Sequence, residues 1–107
     1  MNLLKETLDV LASNNKTESV VLWVGIQRGD YEKRPSISFS WDEFAALADF
    51  EYDNGYGGAE IADHLKIVGA DWWLERGEYD GAEWWEFKTL PTKPEYGKPC
   101  KADLEST

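Results

Sequence analysis

The stretch from Asp71 to Leu90, DWWLERGEYDGAEWWEFKTL, constrains the fold of this chain more than any other. It carries four of the six tryptophans, in two adjacent pairs, with Asp80-Gly81 near its middle. A two-residue type I′ hairpin turn needs positive φ at both central positions, and Asp-Gly supplies that cheaply. Flanked by alternating aromatic and polar residues, Asp80-Gly81 predicts a β-hairpin.

The turn fixes a register. With Asp80-Gly81 at the tip, Leu74 faces Phe87, Arg76 faces Trp85 and Trp72 faces Thr89. Upstream, Gly69-Ala70 predicts a type II′ turn with glycine first, which pairs Leu65 with Leu74, Ile67 with Trp72 and Asp63 with Arg76. The inner face of this three-strand meander then collects Leu65, Ile67, Trp72, Leu74, Trp85 and Phe87, with Arg76 between Asp63 and Trp85. The outer face collects His64, Lys66, Trp73, Glu75, Gly77, Trp84, Glu86 and Lys88. There Trp73 lies between two lysines at cation–π range, and Trp84 covers a strand glycine, Gly77. This parity predicts that Trp72 and Trp85 are more buried than Trp73 and Trp84.

Before the meander, Leu4, Leu8 and Leu11 recur at helical spacing, predicting a helix over Asn2–Ala12 that ends at Ser13-Asn14-Asn15. The β-branched run Val20–Ile26 predicts a strand buried on both faces. A polar loop follows, with a turn at Gly29-Asp30. Ser36–Phe39 alternates as a second strand, Ile37 and Phe39 inward, and Pro35 just before it either starts the strand or places it at an edge. Ser40-Trp41-Asp42-Glu43 is a capping-box pattern. It opens a helix expected to reach Phe50, with Trp41, Phe44, Ala45, Leu47 and Ala48 on its apolar side. From Pro91 the tail, with Pro94 and Pro99, reads as irregular and weakly held. The expectation is one α+β domain over residues 1–90, a twisted antiparallel sheet of about five strands with two helices packed on it, followed by the tail 91–107.

Charge narrows the function. The chain has 11 basic and 21 acidic residues, a net of −10. Residues 42–86 hold 13 of the acids against Lys66 and Arg76 alone, so the acidity belongs to one segment. Free nucleic acid is a poor partner for such a surface, because affinity for it comes from neutralising phosphates. No apolar run approaches the roughly 20 residues that span a bilayer, and Glu6 and Asp9 interrupt the N-terminal apolar pattern, which argues against a signal peptide. A single cysteine, Cys100, forbids an internal disulfide. It has no His or Asn pattern beside it and reads as a spectator thiol.

Three groups are candidates for function, and no cofactor is expected. His64, Glu75 and Glu86 fall side by side across the meander, a set able to hold a divalent metal or run acid–base chemistry in a small hydrolase; the alternative is a solvated row. The run 42–63 has seven acids and no Lys or Arg: Asp42, Glu43, Asp49, Glu51, Asp53, Glu60 and Asp63. Such a surface can offer carboxylates where a nucleic-acid-binding protein expects phosphates; the alternative is a solvated helix face. Trp73 and Trp84 are candidates for a protein contact or a sugar-stacking platform, unless a helix covers them. The expected partner-binding set is Asp42, Glu43, Asp49, Glu51, Trp73, Glu75, Trp84 and Glu86. The glycine-rich Asp53–Gly58 lacks the Lys-Ser/Thr of a phosphate loop and the spacing of a calcium loop. It reads as a turn that places Tyr52, Tyr56 and Gly57 near a contact surface.

The segments Trp-Trp-Leu-Glu-Arg, Glu-Tyr-Asp-Gly and Glu-Trp-Trp-Glu-Phe-Lys between Asp71 and Pro91 resemble a family of small proteins, of unassigned activity, encoded by bacteriophages and prophages. The resemblance covers about a fifth of the chain. It implies expression in the cytoplasm of a bacterial host. There, small acidic proteins often inhibit nucleases or other defence machinery, so it implies a non-catalytic inhibitor whose partner is a host protein with a basic surface.

Overall fold

The computed structural model describes residues 1–29, 33–53, 55 and 57–106. The hairpin forms as expected, between β4 (Trp72–Tyr79) and β5 (Ala82–Thr89). Asp80 has φ 51° and Gly81 φ 87°, the two positive values of a type I′ turn. Trp72 faces Thr89, Leu74 faces Phe87 and Arg76 faces Trp85.

The strand before it, β3 (Leu65–Val68), pairs two residues away from the expected register. Ile67 faces Leu74 and Lys66 faces Glu75. The turn sits at Ala70-Asp71 instead of Gly69-Ala70, closed by the Gly69 N–H donating to the Trp72 carbonyl at 2.9 Å. Gly69 does not have the positive φ that a type II′ turn requires of it. Its missing side chain is used for packing: a Cβ there would overlap the indole of Trp72. Because the slip is even, every side chain keeps its face. Trp72 (3% exposed) and Trp85 (6%) are buried, Trp73 is half-buried and Trp84 is 37% exposed.

Two further strands, β1 (Trp23–Ile26) and β2 (Ile37–Phe39), complete an antiparallel sheet of order β2-β1-β3-β4-β5. The fold is α+β. β1 is shorter than expected, because Glu18–Val20 form a 3₁₀ turn, and only its inner face is buried throughout its centre: Val24 is fully buried, while on the other face Trp23 is exposed and lies over Gly25. β2 is an edge strand, one of the two placements Pro35 allowed, but Ile37, expected inward, is exposed. The expected turn at Gly29-Asp30 falls partly outside the described residues.

One face of the sheet carries both helices. α1 (Leu3–Ser13) is capped by the Asn2 side chain and buries Leu3, Thr7 and Leu11. α2 (Trp41–Ala48) opens with the complete Ser40–Glu43 capping box and buries Phe44 and Ala48. It stops at Ala48, before Phe50, because the chain leaves to pair with the N-terminus. Leu3 N–H donates to the Phe50 carbonyl and Tyr52 N–H to the Met1 carbonyl, around an Asn2–Glu51 bridge. α2 buries the stripe of Phe44 and Ala48, and Leu47, expected inward, is 75% exposed. The core between helices and sheet centres on Leu11, Val24, Ile67 and Leu74. Residues 91–100 have no regular structure, and a single turn, α3 (Lys101–Leu104), follows.

Candidate functional site

The structure separates the sequence candidates into two surfaces. Phe44 and Ala48 pack α2 onto the inner face of the sheet, so Asp42, Glu43, Asp49 and Glu51 lie on the helix side. Trp73, Glu75, Trp84 and Glu86 lie on the outer face, which neither α1 nor α2 covers. The eight residues do not form one patch.

The outer face also fails to assemble the proposed metal row. The two-residue slip puts Lys66, not His64, opposite Glu75, with Glu86 beyond it. Lys66 offsets the two carboxylates, while His64 sits before β3 with its Nε2 3.6 Å from Asp63. Among the described residues, no group of three His, Cys, Asp or Glu is placed to hold a metal ion. The slip also replaces Lys66 by Val68 beside Trp73, whose indole N–H donates to Glu75 Oε1 at 2.8 Å. Trp84 lies over Gly77 as expected. Trp23, which sequence reasoning placed in a doubly buried strand, joins this face beside a groove lined by Gln27, Ser36, Ser38, His64 and Lys66.

The helix side is organised around segment 49–52. Asp49 and Glu51 point one way, onto a shallow groove shared with Leu4, Leu8 and Asp9. Phe50 points the other way, into an apolar recess of ≈ 240 Å³ walled by Leu3, Phe44, Leu47, Ile61 and Leu65. Leu47 and Phe50 (44% exposed) stand at its mouth. Among the described residues Glu60 is the one charged residue that lines it. All seven carboxylates of the 42–63 run are exposed. Asp42 and Glu43 also serve the helix, since acids in a first turn are favoured by its macrodipole. Asp49 accepts from Asn2 Nδ2 at 2.8 Å, and Glu51 pairs with the N-terminal ammonium at 3.1 Å. These contacts orient the two carboxylates along the groove.

Beneath this surface lies a polar cluster that holds it in place. Arg76, on the inner face of β4, is nearly inaccessible and stacks 4.6 Å above the ring of Trp85. Its Nη2 donates to Glu83 Oε1 at 3.0 Å and to the Tyr52 hydroxyl at 3.1 Å, and its Nη1 is 3.5 Å from Glu6 Oε1. The pairing with Asp63 expected from the sequence is absent because of the register slip. Tyr52, expected at a contact surface, is buried and donates to Glu6 at 2.5 Å. Burial, and then that hydrogen bond to a carboxylate, push its phenol up to about 12. Glu83 also accepts from the backbone N–H groups of Glu60 and Ile61. The cluster thus ties α1, segment 49–52, the chain before β3 and the hairpin to one another. Strand parity turns Glu83 inward with Trp85 and Phe87, a signal available in the sequence. Glu6 and Tyr52 carry no such signal, because their meeting spans the chain. Tyr56 lies outside the described residues.

No protein-family model, curated protein or solved structure matches this chain. No helix among the described residues is long and apolar enough to cross a membrane.

Proposed function

We propose that this chain is a non-catalytic binding protein that docks its helix side onto a basic site of a protein in the bacterial cytoplasm. A host nuclease or another nucleic-acid enzyme is the partner class that such a surface suits. The observation that carries this reading is the combination at segment 47–51. Exposed Leu47 and Phe50 open onto an apolar recess that Glu60 also lines; Asp49 and Glu51, on the same segment, line the neighbouring groove, and no Lys or Arg occurs between residues 42 and 63. Apolar anchors in a partly desolvated pocket supply affinity, and a surrounding field of one sign supplies orientation and on-rate. A segment rich in Lys and Arg with one bulky apolar side chain complements both.

The test is capture from bacterial lysate with three tagged forms: wild type, Asp49→Lys/Glu51→Lys, and Leu47→Asp. A basic partner retained by wild type, released by raised salt and lost from both variants supports docking through this surface. An acidic partner, or one captured equally by all three forms, overturns it.

One observation favours a second reading. The open outer face presents Trp23 and Trp84 with exposed rings, and polar side chains line the groove beside Trp23. That is the chemistry of sugar stacking. Quenching of tryptophan fluorescence by soluble polysaccharides, lost in Trp23→Ala or Trp84→Ala, distinguishes it from docking on the helix side.

A further inference from the structure

Strand β5 is the outermost strand of the sheet, and nothing among the described residues pairs with its free side. The ladder fixes which backbone groups are unpaired. Leu90 N–H donates to the Asp71 carbonyl, so the even-numbered residues of β5 direct their N–H and C=O groups toward β4. Glu83, Trp85, Phe87 and Thr89 direct theirs outward. An edge of eight residues without proline or bulge is what proteins normally avoid or use. The other edge, β2, is protected by contrast: it has three residues and follows Pro35.

We infer that β5 is an association edge for a second copy of this chain, joined antiparallel into a continuous ten-stranded sheet. Self-complementarity selects both occupant and register. With Phe87 opposite Phe87 of the second copy, Trp85 faces Thr89, and outward backbone groups meet outward backbone groups. On the outer face this register sets Glu86 against Lys88 twice and Trp84 against Leu90 twice. Shifting by one step toward the turn sets Trp84 against Glu86 and loses both ion pairs. An intermediate register that also matches outward groups sets Glu86 against Glu86, which like charges disfavour. Pro91 ends the ladder where its N–H would be needed.

The net charge of −10 does not oppose this pairing at the edge itself. The acidic α2 packs over β1, at the far side of the sheet. Residues 87–107 contain four lysines against Glu95, Asp103 and Glu105. The described residues of the tail make no hydrogen bond to β5. Two copies so joined present their α2 surfaces at opposite ends of the sheet, free for the partner proposed above. Association and docking are therefore separable.

The experiment is sedimentation of the full chain from micromolar to near-millimolar concentration at moderate salt. A reversible transition toward twice the 12.2 kDa monomer mass is expected. Lys88→Glu alone and Glu86→Lys alone each weaken it by at least about tenfold. The double swap Glu86→Lys/Lys88→Glu restores it to within about threefold, because the pairs re-form with signs exchanged. Thr89→Pro, which removes an outward N–H and leaves the β4 bonds intact, abolishes it; circular dichroism confirms that each variant is folded. A monomer at every concentration overturns the inference. So does a dimer indifferent to Thr89→Pro, or a double swap that fails to restore association.

Discussion

Arg76 and Glu83 are joined by a 3.0 Å hydrogen bond from Nη2 to Oε1, with both side chains almost wholly buried. A guanidinium and a carboxylate withdrawn from water gain little over apolar residues, but removing one partner strands the other. Here the stranding is compounded. Among the described residues Arg76 Nε and Nη1 have no hydrogen-bond acceptor, and Glu83 and the Tyr52 hydroxyl are the acceptors its hydrogen bonds reach. Glu83→Ala also orphans the N–H groups of Glu60 and Ile61. The expected cost is about 3–5 kcal/mol in urea unfolding. Glu83→Gln, which keeps an acceptor oxygen and the shape, is expected to cost at least about 1 kcal/mol less. Equal costs would show that the carboxylate fills space and does not hold the segment before β3.

Tyr52 gives the cluster a pH dependence. Its phenol is raised from the ordinary 10 to about 12 in the folded chain, so between those values the native state holds a proton that the unfolded state has released. The contribution is fully present below pH 10 and is lost as pH rises toward 12. Denaturant midpoints measured across that window should fall, and in Tyr52→Phe they should fall less steeply. At neutral pH the same variant should cost about 1–3 kcal/mol, because Glu6 loses a donor and Arg76 an acceptor.

The hairpin was legible in the sequence because Asp80-Gly81 leaves few alternatives: positive φ at two adjacent positions selects the turn, and the turn selects the register. The burial order of the four tryptophans follows from that alone. The next strand shows where such reasoning stops. Gly69 looked like a turn glycine, but it makes room for the Trp72 indole, and the turn moved on to Ala70-Asp71. An even slip preserves which face each residue occupies while changing every cross-strand neighbour. The inner face of the meander was therefore read correctly, whereas His64, Glu75 and Glu86 were placed in a row that does not exist. Long-range contacts were beyond reach for a different reason. Tyr52 is buried because segment 49–52 pairs with the N-terminus, and no local pattern announces a pairing across that span.

Ser40 should account for most of the local stability of α2. Its hydroxyl accepts from Glu43 N–H at 3.1 Å, and the Glu43 carboxylate in turn accepts from Ser40 N–H. Ser40→Ala removes half of this exchange and should cost about 1 kcal/mol. Because α2 carries Leu47 and leads into Phe50, amide exchange in residues 41–50 should quicken more than in β4 and β5. Uniform acceleration would mean that α2 opens only with the whole domain.

Two strand and turn glycines that each lie beneath a tryptophan should respond very differently to the same substitution. A Cβ at Gly77 would come within 2.6 Å of Trp84 Nε1, but Trp84 is 37% exposed and its ring can swing outward into solvent. Gly77→Ala should therefore cost under about 1 kcal/mol, and the replacement should report itself as a red shift in tryptophan emission. A Cβ at Gly69 would overlap the ring of Trp72, which is 3% exposed, stacked 5.8 Å from Phe87 and covered by the Lys16 ammonium. That indole has nowhere to go without opening the core. Gly69→Ala should cost about 1–3 kcal/mol, the range of overpacked interiors. The contrast tests the two-residue slip directly. In the register with Gly69-Ala70 at the turn centre, Gly69 would need positive φ, and Gly69→Asn, which tolerates it, would rescue the loss seen with alanine. In the observed register asparagine is larger and should be worse.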